Sequence, residues 1–149
     1  MSECKPVSTP CDSSVMLSKD MSPATVEDEQ AMKSVPYSSG VGSLMYAMTT
    51  TRPDIAYAVS VLSAYMANPG QQHWIALKRV LRYLQGTRNY GLVLGGSSVE
   101  LSGWCDADWA NDKDTRRSVS GYIFNIGDGV ISWQSKRQPT VAMSSTEAE

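Results

Sequence analysis

The chain is poor in the residues that build metal centres from nitrogen and sulfur. Its only histidine is His73, and its three cysteines, Cys4, Cys11 and Cys105, show no paired spacing, so a tetrahedral zinc site is excluded. It also lacks a long apolar run. The longest uncharged apolar stretch, residues 55–67, has 13 residues, whereas a helix crossing a bilayer needs about 20. The opening Met1-Ser2-Glu3-Cys4-Lys5 has no apolar secretory signal, so an intracellular, reducing compartment with free thiols is expected. The most telling absence is of acid. Residues 55–99 hold four bases, Lys78, Arg79, Arg82 and Arg88, and no Asp or Glu. A formal charge of −2 hides this basic block, and local potential, not the total, is what attracts a polyanion.

Composition supports a packed core, with 42% apolar and 19% charged residues. Residues 1–34 are rich in Ser, Thr, Pro, Asp and Lys without a period of 3.6 or 2, which predicts a disordered, solvated linker. From Pro36, Tyr37, Val41, Leu44, Met45 and Met48 form a helical stripe. Thr51-Arg52-Pro53-Asp54 reads as a capping box opening a second helix to about Met66, with Ile55, Ala58, Val59, Leu62 and Met66 inward. Asn68-Pro69-Gly70 then breaks the chain. Across residues 71–85, Trp74, Leu77, Leu81 and Leu84 line one side, with Lys78, Arg79 and Arg82 on the other. His73 reads as a polar residue ahead of that helix.

The period then changes to two. Strands are expected at 91–94, 99–105, 118–126 and 130–135, the last pair joined by a hairpin at Gly127-Asp128-Gly129. An extended piece at 140–143 leads into Ser144-x-x-Glu147, a capping box starting a helix that is cut off at Glu149. The fold class expected is α+β, in two incomplete modules: 35–94 helical and 95–149 strand-rich.

Chemistry is suggested by Trp104-Cys105-Asp106-Ala107-Asp108-Trp109-Ala110 and the closing Ser144-Ser145-Thr146-Glu147-Ala148-Glu149. Hydrolysis of a phosphodiester by two metals needs carboxylates from separate elements around cations roughly 3.5–4 Å apart. Magnesium suits such oxygen ligands. Taken alone, though, Asp106 and Asp108 read more simply as a solvated acidic loop end. The basic helix face reads as a solvent-exposed side, and Trp74, Trp104, Trp109 and Trp133 as packing residues.

The order of the motifs changes this balance. A strand ending in Asp-x-Asp, a hairpin, then a helix opening with Glu-x-Glu resembles the start of a ribonuclease H domain in copia-type retrotransposon polyproteins. Tyr37-Ser38-Ser39, the 41–46 block, Thr51-Arg52-Pro53-Asp54-Ile55-Ala56-Tyr57-Ala58-Val59, Leu81-Arg82-Tyr83-Leu84-Gln85-Gly86-Thr87, Arg117-Ser118-Val119-Ser120-Gly121-Tyr122 and Ile131-Ser132-Trp133-Gln134-Ser135-Lys136 are similar to that family in the same order.

The resemblance implies that 35–94 is the helical tail, or connection, of reverse transcriptase. It implies that 95–149 is the N-terminal half of a ribonuclease H-like mixed sheet with a truncated first helix. Asp106 and Glu149 would be the catalytic metal ligands, for Mg2+ or Mn2+ in the complete domain, with Asp108 a neighbour and Glu147 a cap. Two further acids would lie beyond Glu149, so this chain is expected to be inactive alone and to bind no metal tightly. The polymerase's Tyr-x-Asp-Asp motif does not occur. An RNA/DNA hybrid would contact Lys78, Arg79, Arg82 and Arg88 through phosphates, with Arg116, Arg117, Lys136 and Arg137 as further phosphate contacts. The remainder of the polyprotein is the other expected partner, with no role for a membrane. The alternative is a non-catalytic nucleic-acid-binding remnant, or a gene remnant with no stable fold.

Overall fold

The computed structural model describes residues 3–95 and 99–149. A polar helix, α1 Val26–Lys33, is opened by the Thr25 hydroxyl accepting the Asp28 amide; α2 Tyr37–Thr50, α3 Ala56–Ser63 and α4 Gln71–Gly86 form where apolar residues recur every third or fourth position. Their shared core is Tyr37, Val41 and Leu44 from α2, Ile55, Ala58, Val59 and Leu62 around α3, and Leu77, Val80 and Tyr83 from α4. The inward stripe of α4 therefore differs from the expected one. Trp74, Leu81 and Leu84 are only partly buried flanks, while His73, Val80 and Tyr83 are buried. Sequence hydropathy misses this because His73 and Tyr83 are buried with their polar atoms bonded. Gly70 N–H donates to His73 Nδ1 at 2.8 Å, and Tyr83 Oη donates to Asp54 at 2.8 Å.

Thr51-Arg52-Pro53-Asp54 does not make the expected capping box. A short 3-10 turn, Pro53–Ile55, precedes α3, and Arg52 at its N-cap position makes no side-chain cap. Arg52 instead grips the Asp54 carboxylate through Nε and Nη2, at 2.9 and 2.7 Å, and reaches Thr87 beyond α4. Burial would raise the Asp54 carboxyl, but the bonds from Arg52 and Tyr83 outweigh it and hold it below its ordinary value. The motif ties α3 to the far end of α4.

The first 34 residues, expected as a solvated linker, have defined places from residue 3 onward. Val7, Cys11 and Leu17 pack on the helical core, α1 is capped by the Thr25 hydroxyl, and Ser18 is buried with its carbonyl 3.1 Å from His73 Nε2. Composition misleads here because a polar segment can be ordered by many bonds from another element instead of by its own apolar area. Gly70 allows this docking. A Cβ there would lie 1.8 Å from the Met21 carbonyl oxygen.

The second half is a three-stranded meander, β1 Leu101–Ala107, β2 Val119–Ile126 and β3 Gly129–Arg137, in the order β1-β2-β3. Both pairings are antiparallel, so the parallel member that a mixed sheet needs is not among the described residues. Gly127, at φ 58°, turns the β2–β3 hairpin. The expected strand at 91–94 does not form; Val93 and Leu94 are exposed and unpaired in any sheet. The boundary expected near 94–98 falls partly on residues 96–98, outside the described ones. Trp133 Nε1 donates to the Met48 carbonyl at 2.8 Å, seating β3 on α2. After β3 comes one helical turn, α5 Ser145–Ala148. The architecture is α+β, and among the described residues no helix is long and apolar enough to cross a membrane.

Candidate functional site

Asp106 lies near the end of β1, in register with Gly121 of β2 and, through it, Ser135 of β3. Side chains alternate along a strand, so Asp106 projects from the same face as Trp104 and Trp133. Asp106 is exposed. Asp108, two residues on, accepts the Val119 amide at 2.6 Å and thereby closes the start of β2 onto β1.

Glu149 follows α5, whose start is set by its cap. Ser144 Oγ accepts the Glu147 amide at 3.1 Å, and Glu147 reaches back to the Met143 amide at 2.7 Å. The Gln138 amide anchors the helix by donating to Ser120 Oγ and to the Ala148 carbonyl, each at 2.7 Å. Ser120 alternates with Gly121, so this anchor uses the sheet face opposite to the one carrying Asp106. Glu149 is exposed. Among the described residues, no three His, Cys, Asp or Glu side chains are gathered closely enough to hold a metal ion.

Several bases share one cavity. Arg79 and Arg82 of α4 line the same cavity, of about 890 Å³, as Arg117, Lys136 and Arg137 from the sheet end. Asp108 and Tyr57 also line it, and burial first, then Asp108, raises the Tyr57 hydroxyl above its ordinary range. Arg137 is paired with Asp112 at 2.5 Å. Asp112 also accepts the amides of Asp114 and Thr115, which shapes the loop between β1 and β2. Within that loop, Arg116 has φ 57° and is exposed.

Lys78 lies over the Trp74 ring, 5.7 Å from its centroid, and Arg88 bonds to Gln85. These two stand apart from the cavity. Arg79 and Arg82 are already engaged by the amino-terminal segment. Arg79 meets Asp12 at 3.1 Å and Thr9 Oγ1 at 3.0 Å, and Arg82 Nε donates to the Lys5 carbonyl at 2.8 Å. Sequence reasoning missed Thr9 and Asp12, because nothing local in a Ser/Thr/Asp-rich stretch marks its distant partner. The one available signal was the charge complement between the acidic first block and the acid-free middle.

Comparison with known proteins completes the picture. Over its full length the chain is 56% identical to a retrovirus-related Pol polyprotein from transposon TNT 1-94 of Nicotiana tabacum, of which it covers 11%. It is 46% identical over 150 aligned residues to the Pol polyprotein from transposon RE1 of Arabidopsis thaliana, covering 10%. It thus spans about a tenth of the length of these polyproteins. It is also 56% identical over 119 residues to a protein named secreted RxLR effector protein 161, from Plasmopara viticola. That match takes in 79% of this chain and 84% of the relative. No protein-family profile matches the chain, and no solved structure does.

Proposed function

Because this chain belongs to the copia-type retrotransposon Pol polyproteins, we propose that it is the segment linking the end of reverse transcriptase to the first half of a ribonuclease H-like domain. Its own contribution in this reading is to bind an RNA/DNA hybrid through phosphates. The observation that carries the reading is the convergence of Arg79 and Arg82 with Arg117, Lys136 and Arg137 on one cavity. With Lys113, six bases line that cavity against three acids, Asp12, Asp108 and Asp112, and a net positive cleft favours a polyanion. Lys78, Arg88 and Arg116 would extend the contact at its margins.

The parent reaction we infer is two-metal cleavage of RNA in the hybrid, with Asp106 and Glu149 among the ligands for Mg2+ or Mn2+. Asp106 and Glu149 do not by themselves fit such a metal pair, since among the described residues no three such side chains are gathered to hold a metal and α5 is anchored through the opposite sheet face. In this reading the chain carries out no metal-dependent step by itself, and further acids come from the rest of the polyprotein. The site of action is intracellular in this reading.

The test is binding and cleavage of a labelled RNA/DNA hybrid by the purified chain. Binding should weaken steeply with salt and weaken further when Lys78, Arg79 and Arg82 are changed to Gln. No cleavage should follow addition of magnesium. Metal-dependent cutting that Asp106→Asn abolishes would show that the chain is a complete nuclease and overturn the division of labour proposed. A chain that binds no hybrid would overturn the binding role and leave the reading of a gene remnant with no stable fold, which non-cooperative melting would support.

A further inference from the structure

The basic face of α4 carries a strap formed by residues 5–12. Three oxygens of different kinds meet the two guanidinium groups: the Lys5 carbonyl on Arg82, and the Thr9 hydroxyl and Asp12 carboxylate on Arg79. Arg79 and Arg82 are three residues apart and so neighbours on one helix side. The strap therefore sets a row of acceptors along that side, as the oxygens of a phosphate backbone would. It is held from beneath by Val7 and Cys11 on the helical core and by Pro6 against Gly86. Thr9 and Asp12 also line the cavity shared by the sheet bases.

The fit is incomplete. Arg79 Nε is buried and has no hydrogen-bond partner, and an orphaned buried donor is costly. Two oxygens of one phosphate could take Nε and a neighbouring Nη together, which is the bidentate geometry guanidinium favours. Asp12 is the sole acid among residues 5–12, and Lys5 brings a base, whereas a duplex offers many phosphates. The strap is thus a weak internal competitor for a strong external ligand.

We propose that residues 5–12 act as an autoinhibitory phosphate mimic on α4, and that an RNA/DNA hybrid displaces them to engage Arg79 and Arg82. This rests on the hybrid-binding reading above. Displacement would join the α4 arginines to Arg117, Lys136 and Arg137 in one open basic track.

Fluorescence anisotropy with a labelled RNA/DNA hybrid, on the full chain, tests the strap. Thr9→Ala with Asp12→Asn should lower the Kd roughly two- to fivefold, the scale of an exposed ion pair and its hydrogen bond. In the unmodified chain, hybrid should speed thiol labelling of Cys11, which packs on the helical core beneath the strap, a readout that holds even if the double variant folds poorly. An unchanged Kd in a folded double variant, or Cys11 labelling that hybrid leaves unchanged while Arg79→Gln and Arg82→Gln weaken binding, would overturn the strap and leave hybrid binding standing. If neither the unmodified chain nor the strap variant binds hybrid, hybrid binding itself fails, and the strap with it.

Discussion

His73 shows how one side chain can hold a segment that its own sequence would leave loose. Its ring is fully buried, stacks on Tyr65 with centroids 4.1 Å apart, and is bonded on both nitrogens. Nδ1 accepts from the Gly70 amide, so the proton sits on Nε2 and is donated to the Ser18 carbonyl. A second proton would put a donor against a donor. Burial accordingly lowers the His73 pKa, with the Ser18 carbonyl and Asp114 opposing. The unfolded chain then binds the proton more readily, so the His73 contribution is present above the unfolded value near pH 6.5 and is lost as pH falls below it. Chemical denaturation at a series of pH values should show stability declining below about pH 6.5, by at most about 1.4 kcal/mol per pH unit from this group. In His73→Gln that part of the slope should vanish. A slope unchanged by the substitution would locate the titration elsewhere.

Among the elements, the two ends of α4 are closed by different devices. Its start is closed by Gly70, His73 and the amino-terminal segment; its end by Arg52, which is buried and bonded to both Asp54 and Thr87. Removing the carboxylate would leave a buried guanidinium and the Tyr83 hydroxyl short of a partner. Asp54→Ala should therefore cost about 1–3 kcal/mol, read as a lower denaturant midpoint at unchanged m-value. A neutral result would mean that water replaces the carboxylate. The sheet relies on a different fit: Phe124 lies over Gly103, where a Cβ would come within 2.3 Å of the ring. Its cross-strand partner has to be glycine for that ring to lie flat against β1.

For the molecule as a whole, the question is how the helices and the sheet are joined. Trp133 donates to the Met48 carbonyl, Tyr65 Oη bonds to Leu17 and to Asp114, and the Asp114 carboxylate accepts the Lys19 amide at 2.9 Å. These links bridge helix to strand directly and through the amino-terminal segment. Trp133→Phe keeps most of the ring but removes the donor, and should cost about 0.5–1.5 kcal/mol. Hydrogen exchange should show the loss mainly in β2 and β3, with protection of the α2–α4 core retained. Equal loss throughout would mean that the two halves melt as one unit.

Periodicity located α2, α4 and the body of α3, although α3 stops at Ser63 and leaves Met66 exposed; turn residues marked the β2–β3 hairpin and the Ser-x-x-Glu spacing marked the cap at Ser144, because each depends on neighbours within a few residues. The family was legible for the same reason, in short ordered blocks. Three features were not legible: the docking of residues 3–34, the conversion of Thr51-Arg52-Pro53-Asp54 into a long-range clasp, and the gathering of Arg79 and Arg82 with Arg117, Lys136 and Arg137. Each depends on partners tens of residues away, as with Arg79 and Asp12, 67 residues apart. Local propensity carries no term for such pairs; only packing of the finished chain brings the donor and the acceptor into the same space.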